Sequence, residues 1–209
     1  MSCTPDLFAD DPRELPEGLV LLRQRTSLKR ELPAIQALAE ISPFRRLQVP
    51  GGGYMSVETT NAGAVGWCAD RAGYRYLPWD PLTARPWPSC PPAWLECAAR
   101  WAADAGFAGF EPDCCLINRY DPGARMGAHR DHDERDFSQP IVSVSLGLPA
   151  TFVWYGPART GRGLPIPLSD GDVLVFGGPA RLGYHAVRPV RAVDAQFANR
   201  INLTFRRAR

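Results

Sequence analysis

The chain is predicted to be a mainly β protein with flanking helices, an α+β arrangement built on an antiparallel sandwich, jelly roll or barrel. Three observations carry this. Beyond residue 112, short runs rich in valine, isoleucine and aromatic residues recur at close spacing, the pattern of many short antiparallel strands. Turn signals separate them, at Asp121-Pro122-Gly123, Ser169-Asp170-Gly171-Asp172 and Gly177-Gly178-Pro179. Helical periodicity appears only twice, both times before those runs.

The first helix is expected where Leu28, Leu32, Ile35, Leu38 and Ile41 step by three or four and make one apolar face. Pro33 is expected in its first turn or at a kink. The second is expected over Trp94, Leu95, Ala98, Trp101, Ala102 and Ala105, which follow Pro91-Pro92 and stop at Gly106. The expected strands are Cys114–Tyr120, Ile141–Gly147, Thr151–Tyr155, Asp172–Phe176, Leu182–Val187 and Arg200–Arg206. Between the helices, Val49–Pro92 holds two glycine/proline-rich patches, Pro50–Gly53 and Leu77–Pro92, and extended stretches carrying Tyr54, Trp67, Tyr74 and Tyr76. The expected organisation is an N-terminal helical extension over 1–48, an aromatic-rich middle segment over 49–92 and a β core over 93–209, packed as one compact unit.

Composition narrows the function. With 209 residues the chain buries enough surface to fold without a disulfide or zinc staple. The six cysteines, Cys3, Cys68, Cys90, Cys97, Cys114 and Cys115, form no C-x-x-C pair, so they read as reduced thiols. No stretch approaches the ~18 apolar residues of a membrane span, and the acidic Met1–Pro12 stretch lacks a leader pattern. A cytoplasmic protein with no membrane partner is expected. A net charge of +2 is too small to argue for nucleic acid. Of the 24 basic residues only Lys29 is lysine, and arginine's rigid fork suits carboxylates and phosphates.

The richest chemical stretch is Gly127-Ala128-His129-Arg130-Asp131-His132-Asp133-Glu134. In extended backbone His129 and Asp131 share a face and His132 points away from it. The remaining histidine, His185, lies in a strand-like run. Two histidines and one carboxylate with open positions describe the facial triad of non-haem Fe(II) oxygenases. H-x-D alone is a weak signal: His129 and His132 also read as polar loop residues, and His185 as a hydrogen-bonded core residue.

Two strands add to it. Arg200, Asn202, Thr204 and Arg206 alternate with Ile201, Leu203 and Phe205, and Leu116, Asn118 and Tyr120 share one face of their run. Such faces are either solvated or line a pocket for a small dicarboxylate, which arginine grips through paired charge-assisted hydrogen bonds.

With these residues in hand, the sequence resembles the AlkB family of Fe(II)- and 2-oxoglutarate-dependent dioxygenases. The resemblance runs from Asp6-Leu7-Phe8-Ala9-Asp10 to Asn202–Arg206, through Met55-Ser56-Val57, Gly66-Trp67, Cys115–Tyr120, Pro140–Pro149 and Gly171-Asp172-Val173. It implies a double-stranded β-helix (jelly-roll) core, and a nucleotide-recognition lid made by the middle segment. It implies Fe(II) on His129, Asp131 and His185, with 2-oxoglutarate chelating the iron near Arg206. The far carboxylate would pair with Arg200, helped by Tyr120, while Asn118 and Asn202 complete a pocket shared with Leu116 and Thr204. O2 would be the oxidant.

For the substrate, the resemblance implies that Trp67 stacks on a damaged base with His129 on its other face. Tyr74 and Tyr76 would contact the nucleotide backbone. Asp133 would lie near the exocyclic amine, Arg159 near the base or phosphate, and Met55 along the pocket. The activity implied is oxidative demethylation of alkylated DNA, single- or double-stranded, at bases such as 1-methyladenine and 3-methylcytosine, by a monomer. The same chemistry on modified RNA or tRNA, or on a protein side chain, is the alternative, as is a non-catalytic nucleic-acid-binding member of the fold. With lysine nearly absent, arginines must hold the backbone, and Arg119, Arg125, Arg130, Arg135, Arg159 and Arg162 are candidates. The departures from the family pattern are His132 in place of an expected lysine, Met126 in place of leucine, and the composition of the 156–165 loop.

Overall fold

The computed structural model describes residues 14–193 and 196–209. Cys3, the Met1–Pro12 stretch and its Asp6–Asp10 segment lie outside the described residues. In chain order the elements are β1 (Leu19–Leu22), α1 (Leu28–Ile41), β2 (Arg45–Gln48), β3 (Tyr54–Gly63), β4 (Gly66–Asp70), β5 (Gly73–Leu77), β6 (Trp79–Asp80), β7 (Arg85–Pro86), α2 (Pro92–Asp104), β8 (Cys114–Tyr120), β9 (Met126–His129), β10 (Ile141–Gly147), β11 (Ala150–Gly156), β12 (Leu164–Leu168), β13 (Val173–Phe176), β14 (Tyr184–Val187) and β15 (Arg200–Arg206). A large sheet runs β1-β13-β10-β15-β8-β3-β2 and a small one β12-β11-β14-β9. The two face each other as the double-stranded β-helix. β4–β5 and β6–β7 are hairpins outside both sheets.

Alternation assigns the large sheet's two faces. Val142, Val144, Ile117, Ile201, Leu203 and Phe205 point outward, where Ile35 and Leu38 of α1 and Trp94, Ala98, Trp101 and Ala102 of α2 bury them. Removing this apolar surface from water is the main gain of the helical layer, at about 25 cal/mol per Å². Trp94 meets the Phe205 ring edge-on with centroids 6.3 Å apart, and its indole N–H donates to Glu31. On the inner side, Phe152, Trp154, Ile166, Leu168 and Val187 of the small sheet pack with Ile141, Leu174 and Phe176 of the large one. Toward β8 and β15 that inner face turns polar, and there it lines a cavity.

α1 follows its expected span, with Ser27 as its N-cap, accepting from the Arg30 N–H. Pro33 differs from expectation: it lies past the first turn of an uninterrupted helix. Pro33 is on the exposed side, so water can serve the carbonyl that its missing N–H leaves free. The middle segment 49–92 divides in the structure: β3 joins the large sheet beside β8, while the β4–β5 hairpin stands beside the cavity.

The Ser169–Asp172 turn ties the helical layer to the sheets. Asp170 Oδ1 accepts from the Leu28 N–H at the start of α1 and from the Gly147 N–H at the end of β10, at 2.9 and 2.7 Å. Asp172 accepts from Arg23 at 2.7 Å. Gly171 makes this close approach possible: its φ is +85°, and a Cβ there would lie 2.0 Å from the Thr26 carbonyl oxygen. Gly171→Ala is therefore expected to cost at least about 2 kcal/mol, a fall in melting temperature of about 4–8 °C. An unchanged melting temperature would mean that the turn relaxes freely and does not anchor α1.

Candidate metal and cosubstrate site

The cavity between the sheets has a volume of about 760 Å³. Strand pairing sets its centre: His129, the last residue of β9, is opposite His185 of β14, and their ring centroids are 4.4 Å apart. Past β9 the chain brings Asp131 round, with Oδ1 3.8 Å from His129 Nε2. One ligand atom from each of His129, Asp131 and His185 falls within 4.8 Å of the others. Each imidazole Nδ1 reaches the carbonyl two residues back, Gly127 at 2.9 Å and Gly183 at 3.0 Å. With Nδ1–H donated there, Nε2 keeps its lone pair free toward the cluster.

The protonation states suit a cation. Burial, with His129 beside it, pushes the His185 imidazole down to about 4. Burial by itself would raise the Asp131 carboxyl, but Arg206, His185 and His129 outweigh it and hold it well below the usual carboxylate range. Two imidazoles and one carboxylate are a donor set for a divalent transition metal. His132, by contrast, is half-exposed, its Nδ1 3.9 Å from Asp133 Oδ1, and it stands outside the cluster.

The polar faces of β8 and β15 are one buried surface, not a solvated one. Register places Arg200 opposite Tyr120, Asn202 opposite Asn118 and Thr204 opposite Leu116, and all six line the cavity with Arg206. Arg200 is 1% exposed. Its Nη2 donates to Ser145 Oγ at 3.0 Å, and its guanidinium lies over the Tyr120 ring, 4.8 Å from the centroid. Thr204 donates to Asn202 Oδ1, and Asn202 Nδ2 donates to Ser143 Oγ, both at 2.9 Å. Among the described residues, Arg200 Nε and Nη1, Arg206 Nη1 and Asn118 Oδ1 are buried without a protein partner. Buried N–H groups of a guanidinium are rarely left unserved. A dicarboxylate reaching from the metal cluster to Arg200 would accept from the three unpartnered guanidinium nitrogens, so the residues present fit both groups.

The β4–β5 hairpin forms the cavity's outer wall. Trp67 stacks on Tyr74 with centroids 5.4 Å apart, and its Nε1–H donates to Asp133 Oδ2 at 2.8 Å. Tyr76 donates to Glu134 at 2.6 Å. Met55 of β3 and Arg159 also line the cavity, Arg159 with Nε on the Ala128 carbonyl at 3.2 Å. Every residue expected at the site is thus brought to one cavity. Of the other arginines, Arg125 and Arg130 line it as well, whereas Arg119 is paired with Glu58.

Sequence reasoning missed three contributors. Asn61, buried in β3, accepts the Trp67 N–H and donates to the Trp67 carbonyl, at 3.0 and 3.1 Å, acting as a strand would. Glu134 and Arg181 form a buried ion pair at 3.2 Å, and Arg181 also donates to the Asp131 carbonyl at 2.9 Å. Glu134 lies inside a charged run that reads as solvated, and its partner is far along the chain, so no local signal marks either residue.

A two-histidine, one-carboxylate cluster beside unserved guanidinium groups, inside a double-stranded β-helix, defines the class of non-haem Fe(II) oxygenases. The chain belongs to the 2OG-Fe(II) oxygenase superfamily, whose profile matches residues 18–206, and within it to the AlkB family. It is 46% identical to the "alpha-ketoglutarate-dependent dioxygenase AlkB" of Salmonella typhimurium (strain LT2) and 44% identical to that of Escherichia coli (strain K12), each over 97% of both chains. It is also similar to the solved structure of OsALKBH1, with a TM-score of 0.78 and 25% identity over 93% of this chain and 100% of that one. Family membership brings Fe(II), 2-oxoglutarate and O2 as the cofactor, cosubstrate and oxidant.

Two substitutions probe the missed residues. Glu134→Ala leaves Arg181 buried without its carboxylate and should cost about 3–5 kcal/mol in urea unfolding; a loss below about 1 kcal/mol would show the pair is solvated. Asn61→Ala should cost about 1–3 kcal/mol and weaken the near-ultraviolet circular dichroism of the Trp67–Tyr74 stack. An unchanged spectrum would show that main-chain pairing alone positions Trp67.

Proposed function

We propose that the chain is a DNA-repair dioxygenase that removes N-alkyl groups from bases such as 1-methyladenine and 3-methylcytosine, releasing formaldehyde, succinate and CO2. The observation that carries this reading is one cavity joining the His129–Asp131–His185 cluster, the unserved guanidinium nitrogens of Arg200 and Arg206, and an aromatic wall tied to Asp133. The names of the relatives at 44–46% identity agree with it.

His129, Asp131 and His185 would hold Fe(II), which with 2-oxoglutarate and O2 supplies the oxidation of the N-alkyl carbon. The rest is orientation by the protein. Arg200, with Tyr120 beneath it, would grip the far carboxylate of 2-oxoglutarate; Arg206 Nη1 would serve the near end, and Asn118 helps complete the pocket. Leu116, Asn202 and Thr204 close the walls. Trp67 offers its π-face to the base and His129 covers the other side, while Tyr74, Tyr76 and Arg159 hold the flanking backbone and Met55 fills the edge. Lesions at N1 of adenine or N3 of cytosine block pairing, so their bases flip out at lower cost. Such bases are cationic, and the Asp133 carboxylate and the Trp67 ring both favour a positive charge.

The middle segment's β4–β5 hairpin would act as the nucleotide-recognition lid. The protein is proposed to work as a monomer in the cytoplasm. Free thiols at Cys68, Cys90, Cys97, Cys114 and Cys115 support that compartment, and among the described residues no helix is long and apolar enough to cross a membrane.

Asp131→Ala should abolish iron-dependent formaldehyde release, whereas His132→Ala should keep most of it; retained activity in Asp131→Ala would sink the metal assignment. Arg200→Ala removes a charge-assisted pair of about 1.5–3 kcal/mol and should raise the KM for 2-oxoglutarate about 10- to 100-fold at a smaller cost in kcat. Turnover of 1-methyladenine and 3-methylcytosine in matched DNA and RNA oligonucleotides decides the polymer, and faster turnover in RNA would overturn the DNA assignment.

A further inference from the structure

The small sheet has a second cavity, of about 620 Å³, on the face turned away from the metal cluster. Strand pairing fixes that placement. Val153 of β11 is opposite Pro165 of β12 and Ala186 of β14, so Val153 and Tyr155 point outward while Phe152 and Trp154 point into the core. Val153 and Tyr155 make the floor. Gly163 makes a wall so close that a Cβ there would come within 2.4 Å of Val153 Cγ1 and 2.9 Å of Tyr155 Cε1. Arg162 and Arg188 stand at the rim, both exposed, and among the described residues no acidic one lines the cavity. Neither guanidinium has an acidic or hydrogen-bonding partner among the described residues.

We propose that Arg162 and Arg188 form a second phosphate site, which grips the nucleic-acid backbone outside the base pocket. This rests on the nucleic-acid reading given under Proposed function, and deepens it. The connection is the loop between β11 and β12. That loop sends Arg159 into the metal cavity and Arg162 to the opposite face. Three residues of chain span at most about 11 Å. The two side chains point to opposite faces and add their own length to that span, so with a strand rising about 3.4 Å per nucleotide a phosphate several nucleotides beyond one held at Arg159 reaches Arg162. Two forked guanidinium groups with a phenol beneath them suit a phosphodiester. The pocket then selects the base, and the outer site adds affinity without reading sequence.

The test is binding of undamaged single-stranded DNA to the full-length protein. A labelled strand of about 12 nucleotides is read by fluorescence anisotropy, and a trinucleotide by competition. Arg162→Gln/Arg188→Gln should weaken the longer strand about tenfold near 50 mM salt. Its log–log salt slope should fall by about 1.4, two contacts at about 0.7 each. The trinucleotide should change less than about twofold, and the melting temperature should not move. Arg188→Lys, which keeps the charge, should retain the salt slope. Equal loss at both lengths, no loss at the longer one, or no binding by the parent protein at either length would each overturn the site. Formaldehyde release from a methylated trinucleotide by the parent protein is the separate check on the dioxygenase reading. That reading fails if no formaldehyde is released, while the length-dependent binding still decides the outer site.

Discussion

Arg206, at the end of β15, is 6% exposed, and the metal loop meets its guanidinium at two carboxylates. Its Nε and Nη2 donate to Asp131 Oδ2 at 3.2 and 2.8 Å, aiming a carboxylate of the metal cluster. Its Nε also pairs with Glu134 at 3.3 Å. Glu134 in turn accepts from Tyr76 of the β4–β5 hairpin and pairs with Arg181. Two cations and two anions thus lie almost without water, and each is tolerable only because the others are present. Metal loop, hairpin and sheet share one electrostatic requirement, so none of them can move far alone.

A buried network of this kind is a weak source of stability, since apolar residues of equal volume would often do as well. What it secures is a state and an aim. Asp131 stays ionised, with Oδ2 committed to Arg206 and Oδ1 turned toward the histidines. Arg200 shows the opposite arrangement. Among the described residues it has no acid beside it, its partners are Ser145 and Tyr120, and burial depresses its pKa. One arginine is neutralised from within the chain and the other is left for an incoming carboxylate. The unserved nitrogens on Arg200 mark which end of the cavity binds an anion.

Legibility in the sequence followed the strength of local alternation. β8 and β15 were readable because their polar faces alternate with apolar residues buried under α1 and α2, and the same alternation grouped Asn118, Tyr120, Arg200, Asn202 and Arg206. β12 was not readable, because Pro165 and Pro167 argue against a strand. The structure places β12 at the edge of the small sheet, where missing N–H groups cost little. β3 was read only in part: Thr59, Thr60 and Asn61 are polar yet buried, and nothing local shows that Asn61 will serve Trp67. Glu134 and Arg181 were illegible for the same reason. A pair formed across 47 positions leaves no periodicity, and a carboxylate in a charged run looks like surface.

The hairpin and the metal loop meet at two points, Trp67 on Asp133 and Tyr76 on Glu134, and both acceptors lie within three residues of Asp131. Under the proposed function this has a consequence for selectivity. Asp133 spends Oδ2 on the indole N–H, which leaves Oδ1 for a base. One free acceptor cannot read the full edge of a base, so shape and hydrogen bonding alone would discriminate poorly here. The retained negative charge discriminates by a different route, because it favours any flat, cationic base that reaches the Trp67 face. Selection by charge and stacking, with the backbone held separately by arginines, suits an enzyme that must accept several alkylated bases and reject the neutral ones around them.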